Sequence, residues 1–374
     1  MKLKKQIFRN YIHMFGLKTK QKIVVIESDD WGSIRMPNKK TYDKLQQRGI
    51  KVDACPYSKF DCLESEEDLN VLFNQLSSID SKYGKAPIIT ANYLTANPDF
   101  DKIRNNQFLK YDFENIEVTY SKFNNIGNIK SLIKKGIENR FLKPQYHGRE
   151  HLNIAMWMEL LKNNKQVKEA FNNDMFALSF SNSNTINLPY LASFMKFKEN
   201  DEFNTILDSG LIEFQNFFGF QPNSFIAPVY IWNRNMENHL RTKGINTIQG
   251  LYFRKEFSCY NDKNPKKINR NYNSITKNNQ LHLVRNCFFE PSTTDKLDWV
   301  NECLKDIEVS FRWSRPAIIC SHRINYVGGI SEKNRNNNLK LFDQLLSNII
   351  KKWPDVLFIS SDEVNKYYSN AENN

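Results

Sequence analysis

The chain has 374 residues, 40% of them hydrophobic and 13% aromatic, so it can bury a large core and is not an intrinsically disordered protein. Its net charge of +12 would suit an anionic partner such as nucleic acid, an acidic glycan or a membrane surface. The sequence has no recognised nucleic-acid-binding motif, so nucleic acid is not among the expected partners.

Residues 1–21 form a basic segment with a partly amphipathic helical pattern. Its apolar residues are interrupted by Arg9, Asn10 and His13, so it lacks the apolar stretch of a secretory signal. No run elsewhere is long enough to span a bilayer, and the six cysteines, which include no CxxC pair, indicate reduced thiols. We therefore expect a cytoplasmic protein whose N-terminal segment is able to contact the inner membrane peripherally.

Short apolar runs alternate with amphipathic helical patterns along the rest of the chain. The predicted strands, in chain order, are 22–27, 86–92, 224–226, 245–248, 280–285, 317–320 and 356–359. The predicted helices are 39–49, 66–83, 128–139, 153–162, 201–219, 234–243, 295–309 (with Thr294 as N-cap), 335–351 and a last one from about residue 361. This alternation favours a parallel sheet or barrel, in which the chemistry collects at the carboxyl ends of the strands.

Two adjacent carboxylates, Asp29 and Asp30, follow the first predicted strand. Because they point in different directions, one can bind a metal while its neighbour acts as a base. The alternative for an isolated Asp-Asp pair is a loop or a helix cap. The position after a strand favours the functional interpretation, since barrel enzymes place their ligands there.

His147 and His151 are two of only six histidines in the chain, and they are four residues apart. On a helix this spacing places both side chains on one face, within reach of one ion. Asp30 would complete a site of two histidines and one carboxylate, with a position open for water. A surface pair with no ligand is the alternative.

The same segment also fits the HxxEH pattern of inverted zinc peptidases, in which Glu150 would be the base. Pro144 and Gly148 weaken the long helix in which that motif sits. A peptidase would also leave Asp29 and Asp30 without a role.

His322 follows the predicted strand 317–320. A histidine titrates near neutral pH and can protonate a leaving group if a carboxylate orients its ring. Glu290 and Asp298 are both candidates for that carboxylate, and a buried structural histidine is the alternative interpretation. In the apolar segment 224–233, a turn shaped by a proline could present a backbone N–H to an oxyanion, and ordinary core is the alternative there.

In chain order, these segments resemble the NodB-homology polysaccharide deacetylases, carbohydrate esterase family four. The resemblance rests on Ser28-Asp29-Asp30-Trp31-Gly32, on His147 and His151, on residues 226–233, and on His322, while Asp295-Lys296-Leu297-Asp298-Trp299 resembles a fourth motif. It implies a distorted (β/α) barrel of about seven parallel strands formed by residues 22–374 as a single domain. Insertions are expected at about 93–140, between the first two motifs, and at about 255–279.

The resemblance also implies a role for each site residue. Asp29 would be the general base and His322 the catalytic acid, and the metal ligands would be Asp30, His147 and His151. The residues implied for the oxyanion and the substrate are Val229, Tyr230, Trp232 and Asn233. The implied cofactor is a divalent metal, first of all Zn²⁺, with Co²⁺, Ni²⁺ or Mn²⁺ as alternatives, and the implied substrate is an acetylated carbohydrate.

The chain departs from the family at the motif arginine that pairs with the base carboxylate. Ile226 stands at this position, and Arg285 is a candidate to take over the pairing. We expect a metal-dependent hydrolase that removes N- or O-acetyl groups in bacterial glycan or surface-polysaccharide biosynthesis. A non-catalytic glycan-binding or assembly protein on the same fold is the alternative that Ile226 raises.

Overall fold

The computed structural model describes residues 7, 9–14, 16–123, 129–178, 193, 200–257, 266–269 and 273–368. The first six residues of the basic N-terminal segment therefore lie outside the described residues. No helix in these ranges is both long and apolar enough to cross a membrane.

One curled sheet dominates the fold. The strands of the described residues, in chain order, are β1 (Ile23–Trp31), β2 (Ile89–Leu94), β3 (Ala96–Pro98), β4 (Phe113–Asn115), β5 (Leu142–Gly148), β6 (Ser224–Phe225), β7 (Thr247–Gly250), β8 (Phe253–Glu256), β9 (Lys266–Asn269), β10 (Ser274–Ile275), β11 (Leu281–Val284), β12 (Cys287–Phe288), β13 (Ala317–His322) and β14 (Leu357–Phe358). The main sheet has the order β10-β11-β7-β6-β5-β2-β1-β13-β12, with β14 also paired to β1. Its pairings are parallel except that between β10 and β11.

Helices surround this sheet. In chain order they are α1 (Lys39–Gln47), α2 (Pro56–Phe60), α3 (Glu66–Tyr83), α4 (Phe100–Asn105), α5 (Ile116–Phe123), α6 (Ile129–Glu138), α7 (Ile154–Asn163), α8 (Lys165–Phe171), α9 (Asn200–Phe218), α10 (Arg234–Thr242), α11 (Trp299–Arg312) and α12 (Glu332–Lys352). Short 3₁₀ helices occur at Val52–Ala54, Pro228–Tyr230, Pro291–Thr293, Arg323–Asn325 and Ser361–Tyr367.

The two ends of the sheet meet in one extended segment, residues 281–289. Its first part, β11, pairs with β7, and its second part, β12, pairs with β13. Between them, the Arg285 N–H donates to the Gly250 carbonyl (2.8 Å) and the Asn286 N–H donates to the Ile318 carbonyl (3.1 Å). We call Arg285 and Asn286 the seam. The sheet thus curls into a half-barrel, which is consistent with the distorted (β/α) barrel that the sequence predicted.

Local sequence explains most element boundaries. β1 is buried along all nine residues, as expected for a parallel strand covered on both faces. Helix α3 begins with a capping box between Ser65 and Asp68 and ends at Gly84 in the left-handed conformation. Its buried leucines and isoleucine recur at helical spacing and pack into the main core; they are Leu69, Leu72, Leu76 and Ile79.

Some predicted elements differ from the structure. β5, which carries His147, was not among the predicted strands. The predicted helix 295–309 begins at Trp299 and is capped by Asp298, whose side chain accepts from the Asn301 N–H, so Thr294 is not the N-cap. The expected final helix is the 3₁₀ helix Ser361–Tyr367. The predicted insertion 255–279 contains β9, which pairs antiparallel with β8 at the start of the insertion.

Gly32, just after β1, occupies a position that tolerates no side chain. Its φ is +79°, and an added Cβ would lie 2.5 Å from both the Leu94 carbonyl oxygen and Ile116 Cδ1. We expect Gly32→Ala to lower the free energy of unfolding by the backbone strain plus about 1–3 kcal/mol for the clash. Urea denaturation measures it.

Gly49→Ala is the matched control for this prediction. Gly49 has nearly the same φ (+77°), but nothing lies within 4 Å of its added Cβ. It therefore reports the backbone strain without the clash. Equal losses in the two variants would show that the turn after β1 relaxes freely.

Candidate active site

The carboxyl end of β1 is irregular where it carries the two aspartates. The pairing of β1 with β2 shifts register between Ser28 and Trp31, and Asp30 has a φ of 75°. In a regular strand, neighbouring side chains point to opposite faces. The bulge and the left-handed residue turn both carboxylates toward His147 and His322, which lie at the carboxyl ends of β5 and β13.

Asp30, His147 and His151 converge. The Asp30 Oδ1 atom lies 3.5 Å from His147 Nε2 and 3.7 Å from His151 Nε2, and all three residues are buried. In a tetrahedral zinc site with bonds of about 2.0–2.1 Å, neighbouring nitrogen and oxygen ligands are about 3.3 Å apart. The side chains would need to move by only a few tenths of an ångström to bind one ion, so the three predicted ligands fit a divalent metal.

The two histidines do not share a helical face, so that part of the sequence analysis is wrong. His147 belongs to β5 and His151 to the turn after it, while α7 begins only at Ile154. The cause is tertiary: β5 pairs with β2 on one side and β6 on the other, and Gly148 then turns the chain at a φ of 115°. The histidines meet through this turn.

Glu150 does not face the two histidines. Its carboxylate accepts from Arg149 at Nε (2.5 Å) and Nη2 (2.7 Å). The segment is also not helical, so the geometry required by an HxxEH peptidase is missing here.

The surroundings of both imidazoles suit them to act as metal ligands. His147 Nδ1 lies 2.9 Å from the Ile226 carbonyl oxygen, and a bond donated there directs the Nε2 lone pair toward Asp30. Burial lowers the pKa of His151 to about 3, despite the opposing effect of Asp30, so this ring is uncharged at neutral pH. Within the described residues, His151 Nδ1 has no hydrogen-bond partner.

Asp29 is paired with Arg285, the cation that the sequence analysis offered in place of the missing motif arginine. The guanidinium donates to both carboxylate oxygens, from Nη2 at 2.6 Å and from Nη1 at 2.7 Å, and Asn92 Nδ2 donates at 2.7 Å. Burial opposes ionisation of Asp29, but Arg285 and the nearby histidines outweigh it and hold the pKa of this carboxyl well below its usual value. Asp29 is therefore ionised at neutral pH.

Arg285 is fully buried and serves more than one partner. Its Nε donates to Glu27 at 2.6 Å, and its Nη1 donates to the Tyr230 hydroxyl at 3.0 Å. Glu27 and Asp29 are two residues apart on β1, so their side chains face the same side of the sheet. One guanidinium therefore fixes two carboxylates and the ring of Tyr230.

The structure distinguishes between the two candidates for the carboxylate beside His322. Glu290 Oε1 lies 2.5 Å from His322 Nδ1, and Asn325 holds the other Glu290 oxygen at 2.9 Å. Asp298 instead caps α11. His322 Nε2 is left facing Asp29, at 3.7 Å. Burial favours the neutral ring, but Glu290 and both aspartates outweigh it and raise the pKa of His322 to about 9.

The residues expected near the oxyanion and the substrate divide into two groups. Val229 and Tyr230 have φ values of 58° and 57°. The Tyr230 N–H donates to the Ala227 carbonyl (3.0 Å), so the Val229 N–H is the candidate donor to an oxyanion. Trp232 and Asn233 point to α10: the indole donates to Glu237 (2.9 Å), and Asn233 accepts from the Asn235 N–H. These two contacts are structural.

The sequence analysis missed several residues of the site. Asn92 ends a predicted strand, so the strand-end rule could have identified it. Arg35, whose Nη2 lies 4.0 Å from Asp30 Oδ2, and Tyr57, whose hydroxyl lies 3.4 Å from His322 Nδ1, come from the segment between β1 and α3. No pattern in the sequence marked them, since only the folded chain brings that segment over the site.

Glu290→Gln is expected to move the alkaline limit of activity to lower pH. The His322 imidazolium must be present to donate a proton, and it is present below a pKa of about 9. An amide in place of the carboxylate removes the negative charge that keeps the proton on the ring. The dependence of kcat/KM on pH measures the shift. Asp298→Asn, which keeps a good N-cap, should leave the limit unchanged, and an unmoved limit in Glu290→Gln would contradict the pairing.

No protein-family model matches the chain, and no curated protein matches it either. Among solved structures, a protein from Parabacteroides distasonis described as a glycoside hydrolase/deacetylase aligns over 95% of this chain and 73% of its own, at 9% identity and a TM-score of 0.50. A polysaccharide deacetylase from Mycobacterium smegmatis aligns over 95% and 92%, at 9% identity and a TM-score of 0.45. A 4-alpha-glucanotransferase from Thermococcus litoralis aligns over 93% and 41%, at 7% identity and a TM-score of 0.47.

The likeness to the Parabacteroides distasonis protein extends to the fold alone. It supports the distorted barrel that the sequence predicted and the strand order showed. In this fold, the described chain carries a cluster able to hold a metal, flanked by a carboxylate-guanidinium pair and a histidine-carboxylate pair.

Proposed function

We propose that this protein is a metal-dependent hydrolase that removes an N- or O-acetyl group from a carbohydrate. The observation that carries the proposal is the convergence of Asp30, His147 and His151 next to the pair of Asp29 and Arg285. A divalent ion held by the three ligands, Zn²⁺ first of all and Co²⁺, Ni²⁺ or Mn²⁺ as alternatives, would acidify water and polarise the acetyl carbonyl.

Asp29 and His322 have the ionisation states that acid-base catalysis requires at neutral pH. Asp29 is an anion and accepts a proton as water attacks the carbonyl carbon, while Arg285 and Asn92 keep its carboxylate in place. His322 is a cation and donates its Nε2 proton to the departing amine or hydroxyl of the sugar. The C–N or C–O bond breaks, and acetate and the deacetylated sugar leave. Acid-base sites often contain two neighbouring groups whose pKa values are shifted in opposite directions, as those of Asp29 and His322 are.

Glu290 acts through His322. It holds the Nδ1 proton, so that Nε2 points into the space beside Asp29. The Val229 N–H is the remaining donor of its turn and would stabilise the oxygen of the acetyl group as charge develops on it.

The second candidate function is glycan binding or assembly without catalysis. Ile226 in place of the motif arginine motivates it, but Arg285 supplies a cation at Asp29 from the seam between β11 and β12. Metal analysis combined with an acetate-release assay on N- and O-acetylated sugars separates the two. Release of acetate that is lost on chelation supports the hydrolase. A full equivalent of bound metal with no release from any acetylated sugar would favour the binding protein.

We also propose that the N-terminal segment contacts an anionic membrane surface, which would place the enzyme near glycan precursors made inside the cell. Arg9 anchors the segment to α11 through Glu302 and Asp306, while the apolar side chains of Ile7, Tyr11 and Met14 are at least half exposed. These three recur at helical spacing, and lysines flank them on both sides in the sequence. Cosedimentation with vesicles containing anionic lipid tests the contact, and equal binding to neutral vesicles would contradict the electrostatic part.

A further inference from the structure

A second group of possible metal ligands lies beside the first and shares no residue with it. It consists of Glu290, Cys320 and His322, and its ligand atoms lie within 4.8 Å of one another. Cys320 and His322 are two residues apart on β13, so their side chains face the same side of the sheet. Cys320 is buried, and its Sγ lies 3.8 Å from Glu290 Oε1.

We propose that Glu290, Cys320 and His322 form a second, inhibitory site for a thiophilic divalent cation such as Zn²⁺ or Cd²⁺. A thiolate, an imidazole and a carboxylate are the ligand types that zinc prefers. No step of the proposed hydrolysis uses the Cys320 thiol.

The ligand atoms lie within 4.8 Å of one another and would have to move to the separations of a tetrahedral site. At tetrahedral zinc, nitrogen and oxygen ligands lie about 3.3 Å apart, and sulfur and oxygen ligands about 3.5 Å apart. The separation of His322 Nδ1 and Glu290 Oε1 would have to grow from 2.5 Å, and that of Cys320 Sγ and Glu290 Oε1 would have to shrink slightly from 3.8 Å. The main change is the loss of one hydrogen bond, since an ion enters where a proton now lies.

The surroundings keep the thiol protonated until an ion binds. Burial raises the pKa of the Cys320 thiol to about 12, and Arg285, whose Nη1 lies 3.4 Å from Cys320 Sγ, only partly opposes this rise. Asn325 holds the second Glu290 oxygen, which limits the movement of that carboxylate. Binding would release two protons, one from the thiol and one from Nδ1 of the His322 imidazolium, whose Nε2 proton remains.

An ion at Nδ1 would replace the hydrogen bond to Glu290 that orients the His322 ring with its Nε2 toward Asp29, so excess zinc should inhibit acetate release. This inhibitory effect rests on the proposed function, whereas the binding of the ion does not.

Titration with Cd²⁺ tests the binding directly, because cadmium bound to thiolate gives a sulfur-to-metal charge-transfer band in the ultraviolet. We expect the wild-type protein to bind two equivalents in equilibrium dialysis, with the band belonging to the Cys320 site. Cys320→Ser and Cys320→Ala should lose the band and one equivalent. Cys55→Ser is the matched control, since Cys55 is a more accessible thiol outside the group, and it should keep both.

The double variant His147→Ala/His151→Ala separates the two sites. It should lose the other equivalent and keep the band. A single equivalent in the wild type, or a band that persists in both Cys320 variants, would overturn the proposal. If these variants do not fold, the ¹¹³Cd chemical shift of the wild-type protein still decides, because one thiolate ligand supports the site and ligands restricted to nitrogen and oxygen overturn it. Two bound equivalents without hydrolysis of any acetylated sugar would leave this site standing and refute only the proposed function.

Discussion

Asp29→Asn is expected to lower kcat by about 10²–10⁴-fold while the bound metal is retained, because the variant removes a proton acceptor but not a metal ligand. The amide has nearly the same shape as the carboxylate, and Glu27 still holds Arg285 on the other side. Acetate release and metal analysis on the same preparation measure the two quantities.

Asp99→Asn is the matched control for this variant. Asp99 caps α4 by accepting from the Lys102 N–H, and asparagine caps a helix equally well. We expect it to keep full activity. Full activity in Asp29→Asn would refute the assignment of the base, and joint loss of metal and activity would show that Asp29 acts through the metal site.

Replacement of either ligand histidine is expected to remove the metal from this site and to lower activity by about 10³-fold or more, since a bound metal supplies several kcal/mol of transition-state stabilisation. His147→Ala and His151→Ala should also lose the part of the folded protein's stabilisation that zinc supplies by binding to this site. In the wild type, this gain is about 2.7 kcal/mol at a metal concentration one hundred times Kd. Metal content and thermal unfolding with and without zinc measure the effect.

His239→Ala serves as the control. His239 lies on α10, and its Nε2 is 2.7 Å from Asp208 Oδ1. It belongs to neither group of possible metal ligands. It should bind zinc and be stabilised like the wild type. If His147→Ala still binds as many equivalents of zinc as the wild type and is stabilised to the same extent, the triad is not the site.

The sequence predicted the barrel because its signals are local. The apolar run at 23–26 and the capping box at Ser65 determine a strand and a helix within a few residues, and the structure has both. β5 was missed because its sequence, LKPQYHG, has no apolar alternation and contains a proline. Its position is fixed instead by two parallel neighbours, which lie far away in the chain.

For the candidate site, the sequence indicated residues but not their arrangement. Asp30, His147 and His151 were grouped correctly in space, but through a helix that does not exist. Glu290 was not separable from Asp298, because the choice depends on which of them the β12–β13 pairing brings to His322. Tyr57 was not visible at all, since its contact with His322 spans 265 residues of chain.

The seam has a mechanical consequence. Arg285 bonds to Asp29 through its side chain and to β7 through its backbone, while the next N–H already belongs to β13. A movement that separates β7 from β13 would therefore also move the Arg285 guanidinium away from Asp29. Separation of the strands at the seam and the pKa of Asp29 are thus coupled, so a substitution that loosens the seam would raise the pKa of Asp29 and change the pH dependence of activity.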